Sequence, residues 1–146
     1  NTESIKKFNN TKFDIITAQN VFAHTSFVYD FLKACSQILS ENGKLFIQTS
    51  QSNMVINNEF DTIYHEHISF FNVNSMLNLL SRVGLYLIDV FRTDIHGTSF
   101  LFVISKINNT EYKMIDIDND FVFILMTQNP KKHGYALLDI IYNNYY

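Results

Sequence analysis

A strand, a helix and a second strand follow one another without interruption in residues 13–49 of this chain. Residues 13–18 (FDIITA) are apolar and β-branched, as in a buried strand, and residues 44–49 (KLFIQT) have the same character. Between them, residues 27–39 carry two overlapping rows of apolar side chains at helical spacing, a stripe broad enough to pack against a sheet. The succession predicts a βαβ unit, a parallel strand pair and an α/β fold.

The predicted helix has apolar residues that we assign to the core and a signal for its end. Phe27 begins one apolar row, and Cys35 belongs to the same row and is predicted to be a core residue. Glu41, Asn42 and Gly43 follow the helix, and a glycine there suits the left-handed conformation of a helix end. Because Cys35 is the single cysteine, the chain has no internal disulfide and no multi-cysteine zinc site.

A second helix and two further strands are predicted after residue 71. Asn72 is a suitable N-cap, the apolar residues that follow keep helical spacing, and Gly84 stands just after them. Residues 85–91 and 99–105 have strand character and are joined by a short connection. We therefore expect an antiparallel hairpin at the sheet edge.

Composition excludes several classes of protein. Hydrophobic residues make up 47% of the 146 residues and charged residues 17%, which is a globular composition. The net charge of -3 with scattered Lys and Arg gives no attraction to nucleic acid. No apolar run approaches a membrane span, and the polar start is no signal peptide. We predict a cytoplasmic protein with neither nucleic acid nor membrane as a partner.

Residues 107–146 form a tail of uncertain structure. Three aspartates alternate at positions 116, 118 and 120, as at the start of a calcium-binding loop. Phe121 stands where such a loop requires glycine, and Thr127 stands where it requires glutamate. Calcium binding is therefore rejected.

The densest acid-base chemistry lies in residues 60–71 (FDTIYHEHISFF). If this segment is extended, Tyr64 and Glu66 point to one side and His65 and His67 to the other. One side could then carry a catalytic base and the other its support. The same residue types also suit a half-buried strand with Glu66 at the surface, so the pattern alone leaves both interpretations open.

Two kinds of chemistry fit these histidines. His65 and His67, with His96 as a third ligand, could bind zinc as a three-histidine site, although the spacing is not that of the helical HExxH motif. Alternatively, a neutral imidazole removes a proton while a neighbouring Tyr or Glu orients it. Gly97, which follows His96, allows close approach of the backbone to a ligand.

Polar residues also follow the first predicted strand. Gln19 and Asn20 come directly after residues 13–18, and ligands of open α/β sheets bind beyond the carboxyl ends of the strands. Asn20 could equally be a turn former.

Three runs of the sequence carry a resemblance to a known family: FDIITAQNVFAH, NNEFDTIYHEHISFFNVNSMLNLL and LIDVFRTDIHGTSFLFVISK. They resemble the S-adenosylmethionine-dependent sugar C-methyltransferases that act on nucleotide-linked keto-sugars. The similarity covers residues 13 to about 106 and is most specific in its YHEH and IHG segments. It implies a partial Rossmann-like methyltransferase sheet, with residues 1–106 as the C-terminal half of the domain.

The resemblance also implies catalytic roles. The second histidine of YHEH is the base that removes the proton beside the sugar ketone, which here is His67. Tyr64 and Glu66 inherit supporting roles in the sugar site.

Binding roles follow from the same resemblance. His96, the histidine of the IHG segment, and Ser99, three residues later, are implied to bind substrate. Gln19 and Asn20 are implied to contact the methionine end of S-adenosylmethionine, the expected cofactor.

The chain also departs from the family pattern. It has no glycine-rich cofactor loop, no acidic residue for the ribose hydroxyls and no cysteine-ligated zinc module, and it has HGTS where the family commonly has HGGS. It is therefore expected to correspond to a C-terminal portion, or a degenerate relative, and to associate through strands that lack neighbours. A non-catalytic remnant and a metal-dependent hydrolase that uses His65, His67 and His96 are the alternative functions.

Overall fold

The computed structural model describes residues 4–8, 10–55, 58–59, 63–93 and 98–108. Its strands are β1 (Phe13–Gln19), β2 (Leu39–Ser50), β3 (Tyr86–Thr93) and β4 (Ser99–Ser105). Its α-helices are α1 (Val28–Ile38) and α2 (Val73–Ser81), and short 3₁₀ helices cover Ser4–Phe8, Phe22–His24 and Ser52–Val55.

The strands form one mixed sheet in the order β1-β2-β4-β3. β1 and β2 are parallel and are connected through α1, which confirms the predicted βαβ unit. β4 is antiparallel to both β2 and β3, so the predicted hairpin is present with β3 at the edge of the described sheet. The architecture is a mixed α/β fold with a partial Rossmann-like sheet.

Both helices pack on one face of this sheet. Side chains of α1 and α2, such as Leu32 and Met76, form a single buried cluster with Leu45 and Ile47 of β2 and with alternate residues of β4. Cys35 belongs to this cluster, as predicted. The opposite face is more open at its margins, where Ile15 is 66% exposed and Phe91 is 49% exposed.

The end of α1 differs from the prediction. The helix stops at Ile38, Leu39 is already extended, and Gly43 lies within β2 without the left-handed conformation. A Cβ atom on Gly43 would lie 2.8 Å from Leu39 Cδ1 and 3.0 Å from the Phe13 carbonyl oxygen, so close packing explains the glycine. Phe27 is also not in the buried row, since it caps the helix and is 72% exposed.

The prediction for α2 is confirmed at both ends. The Asn72 side chain accepts a hydrogen bond from the Ser75 N–H at 2.8 Å, and the Ser75 hydroxyl accepts one from the Asn72 N–H at 3.0 Å. This reciprocal arrangement is a capping box. Gly84 follows the helix with φ of +67°.

Several predictions fall outside the described residues. They are the calcium-loop rejection at positions 116–127, the role of His96, and nearly all of the tail from residue 107. Among the helices of the described ranges, none has the length and apolar character needed to cross a membrane.

Candidate active site

The parallel strands β1 and β2 end side by side, and polar residues extend beyond both ends. Gln19 pairs with Gln48 in the strand register, and the Asn20 N–H donates to the Gln48 carbonyl at 3.2 Å. Asn20 adopts the left-handed conformation, with φ of +51°, which asparagine tolerates better than most residues. Gln19 and Asn20 are exposed, so their amide groups are free to meet a ligand at this edge.

Residues 64–67 form a turn. The His67 N–H donates to the Tyr64 carbonyl at 3.0 Å, which closes the turn. The backbone that follows the turn does not pair with a strand of the sheet at Ile68, because the Ile68 N–H donates to the Ala23 carbonyl at 2.9 Å. The expected alternation of side chains is therefore wrong: Tyr64 and His67 meet on the same side, while His65 and Glu66 occupy the tip of the turn.

The imidazole of His67 contacts two hydroxyl groups. The Tyr64 hydroxyl lies 3.0 Å from Nε2, and the Ser50 hydroxyl lies 3.3 Å from Nδ1 and 3.4 Å from Nε2. A neutral ring with its proton on Nδ1 donates to Ser50 and leaves Nε2 to accept from Tyr64. In that tautomer the basic nitrogen is Nε2, which faces the hydroxyl group of Tyr64. Tyr64 is 43% exposed.

Aromatic rings hold His67 from the remaining sides. The His24 ring packs edge-on at a centroid distance of 4.9 Å, the Phe70 ring at 5.7 Å and the Tyr64 ring, tilted, at 4.2 Å. Phe70 is buried and fixes this wall of the site. The ring of His67 is thus held in place before any substrate binds.

His24 and Ser50 were not identified as site residues from the sequence. His24 ends the 3₁₀ helix that follows β1, and Ser50 is the last residue of β2. The rule that ligands bind beyond the carboxyl ends of parallel strands applies to both of them. Applied to both strands, it would have selected these two residues with Gln19 and Asn20.

His65 and Glu66 lie apart from this cluster. Their side chains are 81% and 60% exposed, and they contact each other through Nε2 and Oε1 at 3.8 Å. In the described ranges no group of three or more His, Cys, Asp or Glu side chains is arranged to hold a metal ion. The third histidine of the possible zinc site, His96, is outside those ranges.

Ser99 lies deeper than a surface contact. It begins β4, pairs with Ser50 in the strand register and is 1% exposed. Its position next to Ser50 brings it near the site, while its burial puts its hydroxyl below the surface. Its predicted contact with substrate stays a prediction.

The sheet order, the parallel βαβ unit and the polar edge define a Rossmann-like α/β domain. The sequence profile of the methyltransferase domain family matches residues 2–90. The chain belongs to this family.

Among curated proteins, the C-methyltransferase NovU of Streptomyces niveus is 33% identical over 88 residues. The aligned part is 60% of this chain and 21% of NovU, so the chain spans about a fifth of the length of that relative.

Solved structures of methyltransferases share the fold. The mitomycin 7-O-methyltransferase MmcR superposes with a TM-score of 0.53 at 11% identity, over 65% of this chain and 30% of MmcR. The magnesium protoporphyrin IX methyltransferase of Synechocystis PCC 6803, solved with bound SAH, has a TM-score of 0.50 at 9% identity, over 64% of this chain and 45% of that protein. At these identities the likeness concerns the fold alone.

Proposed function

We propose that this domain takes part in S-adenosylmethionine-dependent methylation of a carbon atom in a nucleotide-linked keto-sugar, with His67 as the general base. The observation that carries the proposal is the imidazole of His67, bonded to Tyr64 and Ser50 at the polar edge of the sheet. Identity of 33% to a C-methyltransferase supports the reaction class. The sugar substrate follows from the resemblance of the YHEH and IHG segments described above.

The polar edge fits the methionine end of S-adenosylmethionine. The exposed amides of Gln19 and Asn20 offer both donors and acceptors, which suits a group that carries an ammonium and a carboxylate. The backbone of Asn20, bonded to Gln48, fixes the direction of this segment. When bound, the cofactor supplies an electrophilic methyl group, so the protein has to generate and hold the carbon nucleophile.

His67 has the features of a base for that step. A proton on a carbon beside a ketone is acidic enough for a neutral imidazole when the resulting enolate is stabilised. Substrate would displace the Tyr64 hydroxyl from Nε2, which frees the lone pair for the proton. The Ser50 hydroxyl at Nδ1 would then stabilise the imidazolium through the Nδ1 proton.

The displaced Tyr64 hydroxyl becomes a donor for the ketone oxygen. Negative charge develops on that oxygen as the proton leaves, and a fixed donor stabilises the transition state more than the ground state. His24, whose ring stands 4.9 Å from that of His67, keeps the imidazole from rotating away. His96 and Ser99 retain their predicted roles toward substrate. Glu66 is 60% exposed, and its supporting role toward the sugar stays a prediction.

The base can be tested apart from methyl transfer. A chain that removes the proton reversibly exchanges it with solvent, so deuterium should enter a nucleotide-linked keto-sugar in heavy water without cofactor. His67→Gln should lower this exchange by about 100-fold, a typical contribution of general-base catalysis. His65→Gln is the matched control, since His65 is 81% exposed, and should leave the rate within about twofold. Equal exchange by wild type and His67→Gln would disprove the role of His67.

Cofactor binding is tested by calorimetric titration of S-adenosylmethionine and of its demethylated product into the folded chain. Binding that weakens in Asn20→Ala and is unaffected by chelators supports the cofactor site at this edge. A folded chain that binds neither compound has no working cofactor site by itself, and the non-catalytic alternative then replaces the enzyme.

A further inference from the structure

Glu59 and Thr98 form a contact that the proposed catalytic roles do not use. The Thr98 hydroxyl donates to Glu59 Oε1 at 2.9 Å, and the Thr98 N–H donates to Glu59 Oε2 at 3.3 Å. Both oxygens of one partly buried carboxylate are thus engaged by a single residue. Hydrogen bonds to a charged acceptor are stronger than those between neutral groups.

The backbone of Glu59 is also anchored. Its N–H donates to the Met54 carbonyl at 2.8 Å, and Met54 is 2% exposed. Asn58, just before it, has the left-handed conformation with φ of +58°. The carboxylate is therefore presented from a fixed backbone.

This contact joins the two segments that flank His67. Glu59 comes five residues before Tyr64, the first residue of the turn that carries His67. Thr98 directly precedes Ser99, which pairs with Ser50, and the Ser50 hydroxyl touches His67. A displacement of Thr98 from Glu59 would therefore reach His67 across the sheet, through Ser99 and Ser50.

We propose that Glu59 is a positioning residue, which through Thr98 fixes the start of β4 against the segment that leads into the His67 turn. The sugar then meets a surface whose two segments are already fixed against each other, so binding does not have to bear the entropic cost of ordering them. Thr98 also occupies the position of the second glycine in the HGGS pattern noted above. Glycine has an N–H but no hydroxyl, so a glycine at this position could not form the 2.9 Å bond that the Thr98 hydroxyl donates to Glu59.

The kinetic consequence rests on the function proposed above. Because the contact fixes both the surface that the sugar meets and the position of His67, Thr98→Val should lower kcat/KM for the sugar nucleotide about tenfold. Glu59→Gln should act in the same direction. The double variant should have a kcat/KM no lower than the worse single variant, because the two residues act through one contact. Thr98→Ser restores the hydroxyl donor and should restore kcat/KM.

A second measurement does not depend on methyl transfer. The side-chain NMR resonances of His67, assigned by their loss in His67→Gln, should move in Thr98→Val and Glu59→Gln and stay in place in Thr98→Ser. The matched control is Ser40→Ala, near the opposite end of β2. This substitution also removes a hydroxyl group that donates to a carboxylate, since the Ser40 hydroxyl donates to Asp14 Oδ1 at 2.6 Å.

The outcomes separate the two proposals. If His67 moves in the two variants but no methyl transfer occurs in wild type, the positioning role stands and the proposed function fails. If the His67 resonances do not respond, or respond equally to Ser40→Ala, the positioning role is overturned whatever the activity. Effects of Glu59→Gln and Thr98→Val that multiply in the double variant would overturn it as well.

Discussion

Cys35 lies on α1 with 6% of its surface exposed, and this burial raises the pKa of its thiol from 9.0 to about 11. The neutral thiol is the form that the folded chain favours. In the unfolded chain the thiol loses its proton near pH 9, whereas in the folded chain it does so about two units higher. The raised pKa therefore contributes stability that is present below pH 9 and is lost as the pH rises toward 11.

This loss can be measured by urea unfolding at several pH values. The free energy of unfolding should fall by about 2 kcal/mol between pH 9 and pH 11 through this thiol alone. Cys35→Ala lacks the thiol and should show a decline that is smaller by that amount. Parallel declines in the two proteins would contradict the assignment.

His65 and His67 are two positions apart but have very different surroundings. His65 is 81% exposed at the tip of the turn, whereas His67 contacts Tyr64 and Ser50. A base has to be held at a fixed distance from the proton that it removes. Of the two histidines, His67 meets that condition.

At the scale of elements, α2 depends on the capping box at its start. Asn72 and Ser75 are both 0% exposed and bond each other's N–H groups. These groups would otherwise be unsatisfied at the helix N-terminus and away from water.

Asn72→Ala removes the acceptor for the Ser75 N–H and should lower the free energy of unfolding by about 1–2 kcal/mol. Asn74→Ala on the same helix is the control, because Asn74 is exposed, and should change it by less than about 0.5 kcal/mol. Both values come from urea titration followed by circular dichroism. Equal effects of the two substitutions would mean that the cap contributes nothing specific.

The pairing at the start of β2 is irregular. Phe13 pairs with Leu39 but Ile15 pairs with Lys44, so the register shifts where β2 passes beside the beginning of β1. Gly43 lies in this irregular part and permits the close approach to Phe13. The irregularity is far from the carboxyl ends of β1 and β2, where Gln19 and Ser50 lie in regular register.

At the scale of the whole molecule, β1 and β3 are the two edges of the described sheet. The edge formed by β1 carries exposed apolar surface, since Ile15 is 66% exposed. An edge strand with unpaired backbone groups and apolar side chains is a template for another strand. We expect the isolated 146-residue chain to self-associate through this edge.

Size-exclusion chromatography with light scattering should reveal a mass that rises with protein concentration. Ile15→Lys places a charge on the edge and should shift the chain toward monomer. Leu77→Lys introduces the same charge at a 40% exposed position of α2 and should leave the association unchanged. A chain that stays monomeric at every concentration would contradict the prediction.

Local sequence patterns were enough to predict several elements. The bounds of β4 and the N-cap of α2 agree with the predictions, because they depend on apolar spacing and on residues such as Asn72 that act within one helical turn. The parallel pairing of β1 and β2 was also predictable, since a connecting helix forces it.

The assembly of the site depends on contacts between residues that are distant in sequence. Residues 64–67 form a turn because the backbone that follows bonds to Ala23, a residue distant in sequence, instead of to a neighbouring strand. The same contact brings His24 against His67, and the parallel register brings Ser50 there from the end of β2. Local periodicity carries no information on such contacts, because the partners are separated by many residues and meet only after the sheet has formed.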